Sequence, residues 1–261
     1  MMGCLDNAAH RANEIVLHRN PKGSPMARTS RLSRTVLGLG LGLTALLGPA
    51  AAFAQTPAPN PATPLYTSFE GIEKLQKGGL VMIIRHERTE VPSRTDDYTK
   101  PANECRAQRN LSVAGVVAAS ENGRLLRAAG IPVSRVISSP MCRAAETARY
   151  MFGVDYTTDA RLMHHDPGEN SSRPLDQAAR ETAELVSELA PLSGVGNIAL
   201  ISHGGNIFMG TGLRLSEGEV GILRVDENGT ATAISQFSGS TLGFYVRMKQ
   251  QEAADAEAED K

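Results

Sequence analysis

The chain has no tryptophan, and aromatic residues make up only 4% of it. Single-stranded nucleic acids are usually held on stacked aromatic rings, so the composition argues against that class of ligand. It lacks a dominant charge as well: 27 Lys and Arg stand against 28 Asp and Glu. A general duplex binder needs a strong basic field, which leaves no nucleic acid among the expected partners. Cysteine is scarce, with three residues, Cys4, Cys105 and Cys142. Long apolar runs are few. The stretch from Val36 to Leu47 is apolar but short and rich in glycine, too little for a comfortable membrane span.

That stretch has another reading. Arg28, Arg31 and Arg34 precede it, and Pro49 and small residues ending Ala52-Phe53-Ala54 follow it. A basic region, an apolar region and an A-x-A-like site make a signal peptide over residues 26–54, cut near Ala54. With no consecutive Arg pair before the apolar region, the general secretory route is expected over the twin-arginine one. The mature protein is then periplasmic or secreted, with no stable membrane insertion after processing. Met26 stands where such a peptide would begin, so residues 1–25 read as a dispensable extension. Cleavage removes Cys4 and leaves an even pair, Cys105 and Cys142. An oxidising compartment allows that pair to close, and two separate buried thiols are the alternative.

The remainder divides simply. Residues 55–68 carry Pro57, Pro59, Pro61 and Pro64 and read as an extended linker. Residues 69–249 alternate apolar strands with helical patterns, which predicts a three-layer α/β/α sandwich with a mostly parallel central sheet. The strands expected are 80–84, 133–138, 198–202, 220–225 and 241–248. The helices expected are 69–76, 112–128 with Ser112 as N-cap, 141–152 and 174–189. Residues 87–110 and 155–173 have no helical period and are expected as loops. The acidic, Ala-rich stretch 250–261 reads as a disordered tail.

Chemistry concentrates where strands end. Arg85 and His86 follow Leu80-Val81-Met82-Ile83-Ile84. Ser138-Ser139-Pro140-Met141-Cys142-Arg143 follows Val136-Ile137. Ser202-His203-Gly204 follows Ile198 to Ile201. The C-terminal edge of an open α/β sheet is where ligands bind. Three strand ends supplying two arginines and two histidines make a candidate phosphate pocket with a nucleophile inside it. Arg143 is expected in a first helical turn, where the helix dipole disfavours a cation unless an anion is there too.

The ordered set Arg85-His86-x-x-Thr89, Arg109-Asn110-Leu111-Ser112-x-x-Gly115, Ser138-Ser139-Pro140-x-x-Arg143-Ala144-x-Glu146-Thr147-Ala148 and Ser202-His203-Gly204 resembles the histidine phosphatase superfamily. Gly204-Gly205 after the second histidine places the likeness with the smaller, phosphoglycerate mutase-like branch. The resemblance implies a phosphatase acting on a small phosphorylated substrate, with no cofactor and no metal. It implies that His86 is the nucleophile that becomes a phosphohistidine, that Arg85 and Arg143 grip the phosphoryl oxygens, and that His203 is a further donor to the same group. Arg109 and Ser112 are expected to brace the loop or cap the helix.

Two departures stand out. Glu87 follows the nucleophile where the family commonly has glycine. The Glu that usually protonates the leaving oxygen has no clear counterpart in Leu162-Met163-His164-His165-Asp166-Pro167-Gly168-Glu169, which leaves Glu87, Asp166, His164 and Glu169 as candidate proton donors. His164-His165-Asp166 also invites a metal reading, which lacks a third ligand; a polar loop at the pocket mouth is favoured. The expectation is an exported, metal-independent phosphomonoester hydrolase. The alternative is a catalytically weak phosphate-binding or regulatory module on the same fold. Nothing in the sequence fixes an oligomeric state or the substrate.

Overall fold

The computed structural model describes residues 65–91, 95–168, 171–189 and 196–260. The extension 1–25, the signal peptide 26–54, most of the linker 55–68, and Glu169 lie outside the described residues. The domain begins with α1 (Ser68–Gln76), whose N-cap Thr67 forms a capping box with Glu70. The side chain of Thr67 accepts from the Glu70 N–H and the Glu70 carboxylate accepts from the Thr67 N–H, so two helix-end donors are satisfied.

The sheet has six strands in the order β3-β2-β4-β1-β5-β6. They are β1 (Val81–Arg85), β2 (Val133–Ser138), β3 (Thr157–Thr158), β4 (Asn197–Ser202), β5 (Val220–Val225) and β6 (Ala231–Phe237). β3, β2, β4 and β1 run parallel, and β5 and β6 join antiparallel at one edge. This is the mostly parallel sheet expected. The two central strands are the apolar runs most legible in the sequence, and all six residues of β4 are buried. Strand alternation divides them between two cores. Met82, Ile84, Ala199 and Ile201 pack in one cluster with Leu75, Leu126, Met151 and Tyr245. Val81, Ile83, Ile198 and Leu200 pack in the other with Leu185, Val186 and Leu189. The first core is closed by α1, α2 (Val113–Ala128), α3 (Cys142–Phe152) and α6 (Gly239–Glu259). The second is closed by α4 (Leu175–Leu189) and α5 (Gly204–Thr211). The three expected layers are present.

Several boundaries fall where the caps put them. Ser112 accepts the Gly115 N–H at 3.0 Å and starts α2. Two assignments differ. Residues 241–248, expected as a strand, lie within α6. Leu242, Tyr245 and Val246 are buried at helical spacing, and Ser238 caps the helix by accepting the Thr241 N–H at 3.2 Å. The stretch expected as a disordered tail continues that same helix to Glu259, with its side chains exposed. Three elements of this framework were not expected: the two-residue β3 inside 155–173, β6, and the short α5 directly after His203. Among the described residues no helix is long and apolar enough to cross a membrane.

Candidate active site

Three parallel strands end together. β4 lies between β1 and β2 and pairs Arg85 with Ser202 and Ser138 with Ile201. This register brings Arg85-His86, Ser139 and His203 to one edge, and the chain leaving β2 enters α3, which carries Arg143 on its first turn. His86, Arg143 and His203 are 1%, 0% and 0% exposed, while Arg85 remains partly exposed.

The two histidines are held differently. His86 Nδ1 lies 2.8 Å from the Glu87 carbonyl oxygen. A carbonyl can only accept, so Nδ1 carries the hydrogen and Nε2 keeps its lone pair. Arg143 Nε–H donates to that Nε2 at 3.3 Å, which is consistent with the same tautomer. The second ring is tilted against the first, with centroids 5.3 Å apart. His203 Nε2 is 2.9 Å from Ser139 Oγ. Ser139 Oγ already accepts the Met141 N–H at 3.2 Å, so the pair is well satisfied with the Ser139 hydroxyl donating to Nε2 and the His203 hydrogen on Nδ1. That Nδ1 is buried without a partner. Burial, then the charge of Arg143, hold both imidazoles well below the ordinary histidine range. Both are neutral at physiological pH, and His86 presents an unprotonated nitrogen.

The cations form an arc. Arg85 donates from Nη1 to the Leu215 carbonyl at 3.0 Å, and its Nη2 lies 3.8 Å from Glu217. Its Nε is buried without a partner. Gly204 leaves room for this guanidinium, since a Cβ there would stand 3.2 Å from Arg85 Cζ and Nε. Arg143 pairs through Nη1 with Asp96 Oδ1 at 3.1 Å. Arg109 stands close enough to lower both imidazoles electrostatically, and its Nε is also buried and unpartnered. Three nitrogens of one cluster, from Arg85, Arg109 and His203, therefore lack an acceptor. Buried donors without acceptors are uncommon, and an oxyanion with several lone pairs would satisfy them.

The sequence reading missed Asp96 and Tyr98. Asp96 Oδ1 accepts from Arg143 and from the Arg109 backbone N–H at 2.8 Å, so one carboxylate fixes two of the three arginine-bearing segments. Tyr98 Oη lies 2.7 Å from His164 Nδ1 and 3.4 Å from Asp96 Oδ2. The His164 ring stands edge-on to His203 with centroids 5.2 Å apart, and it stacks on His165 at 4.3 Å. Burial, then His165 and Arg143, lower His164 to about 4, and burial and Asp96 raise Tyr98 to about 12. Asp96 and Tyr98 come from an aperiodic loop, and only the pairing of that loop with α3 reveals them.

The candidate acids separate. Glu87 is 2% exposed, but its carboxylate is engaged by α2: Asn122 Nδ2 donates to Oε1 at 2.8 Å and the Arg88 N–H to Oε2 at 3.3 Å. It lines a cavity of about 850 Å³ with Asn122, Glu217, Gly218 and Ser238, a cavity to which Arg85, His86, Arg143 and His203 contribute nothing. Burial raises its carboxyl, opposed by the Arg88 N–H and charge. A Cβ at Gly218 would lie 2.4 Å from Glu87 Oε1, and that position has φ +81°, so glycine is required there twice over. It is the Glu87 backbone carbonyl, not the carboxylate, that meets His86, at Nδ1. Asp166 Oδ1 accepts the Gly168 N–H at 3.0 Å in a local turn.

Of the two readings of the cysteine pair, the structure has the disulfide. Cys105 and Cys142 are bonded, with Cα atoms 5.6 Å apart and a sequence separation of 37. The bond joins the loop that carries Asp96 and Tyr98 to the first residue of α3, next to Arg143. Gln108 Oε1 adds a hydrogen bond from the Cys142 N–H at 3.1 Å. Arg109 and Ser112 brace the loop as expected. The Arg109 carbonyl lies 3.5 Å from Arg143 Nη1, and Ser112 Oγ donates to the Arg88 carbonyl at 3.2 Å.

No curated protein matches this sequence. Solved structures similar to it include the protein histidine phosphatase SixA complexed with tungstate (19% identity, 62% of this chain and 99% of that chain, TM-score 0.43). A phosphoserine phosphatase from Entamoeba histolytica in complex with 3-phosphoglyceric acid is 15% identical over 61% of this chain and 96% of that one, TM-score 0.48. A mycobacterial glucosyl-3-phosphoglycerate phosphatase with inorganic phosphate is 17% identical over 61% and 98%, TM-score 0.47. The family model that matches is the histidine phosphatase superfamily, branch 1, over residues 81–194. The match takes in Arg85, His86, Arg109 and Arg143, and the pairing of β4 with β1 adds His203 from beyond it. The stretch that carries Arg85, His86, Arg109 and Arg143 is thus similar to the histidine phosphatase superfamily, branch 1, which supports a phosphatase of that type.

Proposed function

We propose that the protein is an exported hydrolase of small phosphate monoesters, working through a phosphohistidine on His86 and without a metal. The observation that carries this reading is the state of the His86 ring. Its Nδ1–H is held by the Glu87 carbonyl, and its bare Nε2 faces the buried guanidinium of Arg143. Such a nitrogen can attack phosphorus without first losing a proton.

The remaining groups have roles that follow from charge. A phosphoryl group in flight is metaphosphate-like and spreads its charge over three equatorial oxygens. Arg85, Arg109 and Arg143 surround the position from three segments, and His203 Nδ1–H adds a neutral donor. Fixed cations in a water-poor site do there what a metal ion does elsewhere, at little cost in reorganisation. Arg109, expected only as a brace, joins the phosphate clamp through its unpartnered Nε. In the substrate-free protein Arg143 leans on Asp96, so it is held in place and charged before phosphate arrives.

The test is direct. Wild type should release phosphate from 4-nitrophenyl phosphate in the presence of EDTA, and acid-labile phosphate should be trapped on His86 by rapid quenching. His86→Ala should lose both signals, with residual rates down by at least about 10³-fold, the scale set when an activated nucleophile is removed. A His86→Ala protein as fast as wild type would rule out the phosphohistidine route.

A further inference from the structure

We propose that His164 is the proton donor to the leaving oxygen, held for that task by Tyr98 and Asp96. The inference rests on the phosphatase reading and names the group that reading lacks. Among the described candidates the carboxylates are otherwise engaged. Glu87 is tied to α2, and Asp166 Oδ1 closes a turn on Gly168. Asp96 bonds Arg143 and the Arg109 N–H. Of the two histidines beside the cluster, His164 is the one whose ring stands against His203 and whose Nδ1 meets Tyr98 Oη, while Glu217 lies beside Arg85. The His164 ring lies 5.2 Å from that of His203, which lies 5.3 Å from that of His86.

Tyr98 lets His164 exist in two protonation states. With a neutral imidazole, the Tyr98 hydroxyl donates to Nδ1 at 2.7 Å. With an imidazolium, Nδ1–H donates to Tyr98 Oη, and the hydroxyl turns to Asp96 Oδ2, 3.4 Å away. The phenol itself stays protonated, raised to about 12. In either state the ring nitrogen that remains to act is Nε2. The groups facing His164 are His165, His203, Tyr98, Asp96 and Arg143. Burial first, and then the cationic ones, disfavour its charged form, which lowers it to about 4. A phosphate dianion held by Arg85 and Arg143 offsets that field and favours the imidazolium. The substrate thereby brings its own general acid into the protonated form.

The steps balance. As His86 Nε2 bonds to phosphorus, the bond from phosphorus to the leaving oxygen breaks, and the Nε2 proton of His164 passes to that oxygen to give the alcohol. Neutral His164 then accepts a proton from water as the water oxygen bonds to phosphorus. The nitrogen–phosphorus bond breaks, its electron pair returns to His86 Nε2, and phosphate departs.

A general acid matters most where the leaving group is poor, and this separates it from a structural residue. The measurement is kcat/KM, which covers the steps through departure of the leaving group, for phenyl phosphate and 4-nitrophenyl phosphate. His164→Gln should slow phenyl phosphate by ~10²–10⁴-fold. It should slow 4-nitrophenyl phosphate by a factor smaller by roughly ten or more, because 4-nitrophenolate leaves without a proton. Tyr98→Phe should give the same split at reduced size and move the basic limb of the kcat profile to lower pH. Should His164→Gln not fold, the Tyr98→Phe pair of measurements decides alone. An equal loss on both substrates overturns the proposal. Wild type inactive on both, or lacking phosphate on His86, sinks the phosphatase reading and this inference with it.

Discussion

Residues that are unremarkable one at a time become chemistry here through burial. His86 and His203 are neutral because water is excluded and arginines surround them, and the same displacement is a statement about stability. Their ordinary value is 6.5, and in the folded protein both lie well below it. His164 at about 4 and His165 are displaced the same way, so all four described histidines agree. Above pH 6.5 neither folded nor unfolded chain carries these protons. Below it the unfolded chain takes up protons that the folded chain refuses, and stability falls as pH falls toward the folded values. His86, His164 and His203 can each contribute a slope of up to about 1.4 kcal/mol per pH unit in that window, and the less buried His165 contributes less because solvent screens it. Glu87 and Glu146 act the other way, since burial raises them and their folded forms hold a proton that the unfolded chain has released. Four against two leaves a net loss. Thermal denaturation should show Tm falling between pH 7 and about 5, before the ordinary carboxylate range is reached. A Tm that holds or rises over that interval would contradict the burial of neutral histidines.

At the scale of elements, the site is a loop fastened to a helix. The Cys105–Cys142 bond closes 37 residues, and in the chain-entropy picture such a loop is worth about 4 kcal/mol. It also fixes the side of the loop that delivers Asp96 to Arg143. Cys105→Ser should therefore lower stability by roughly 2–4 kcal/mol in urea titrations. Because Arg143 is then less firmly held, KM for a phosphate monoester should rise more than kcat falls. An unchanged urea midpoint would mean the loop is held by Gln108 and Asp96 without the bond. These elements also mark what could be read in advance. β1 and β4 were legible because they are continuous apolar runs, and α2 because Ser112 announces it. α6 was misread because Leu242, Phe244, Tyr245 and Val246 are residues common in strands. What decides is the spacing of the buried ones against α2 and the sheet, which local composition does not reveal. In the site, Arg85, His86, Arg143 and His203 were legible because strand ends declare themselves. Asp96, Tyr98 and the third guanidinium of Arg109 were hidden, since long-range pairing places them and the loop has no period. The direction of the Glu87 carboxylate was hidden too, because adjacency in sequence says nothing of which side of the strand end a carboxylate takes.

For the whole molecule, compartment and chemistry are linked through the same disulfide. The exported reading removes Cys4 with residues 1–54 and leaves Cys105 and Cys142 as partners, and an oxidising compartment lets them close. Cys105 lies on an exposed turn, within reach of thiol reagents while it is reduced. The arginine clamp and the His164 relay both depend on the loop this bond secures, so the fully competent site should be assembled only after export. Two preparations test this. Protein recovered from the cell envelope should have an intact mass beginning at Gln55 and lacking two thiol hydrogens. Protein made without residues 1–54 should stay in the cytoplasm with both thiols open to alkylation, show a lower Tm, and regain the exported Tm on oxidation. If the cytoplasmic form is as stable and as active while its thiols are free, the bond contributes nothing to the site. If the envelope form retains residues 26–54, the protein is anchored rather than released.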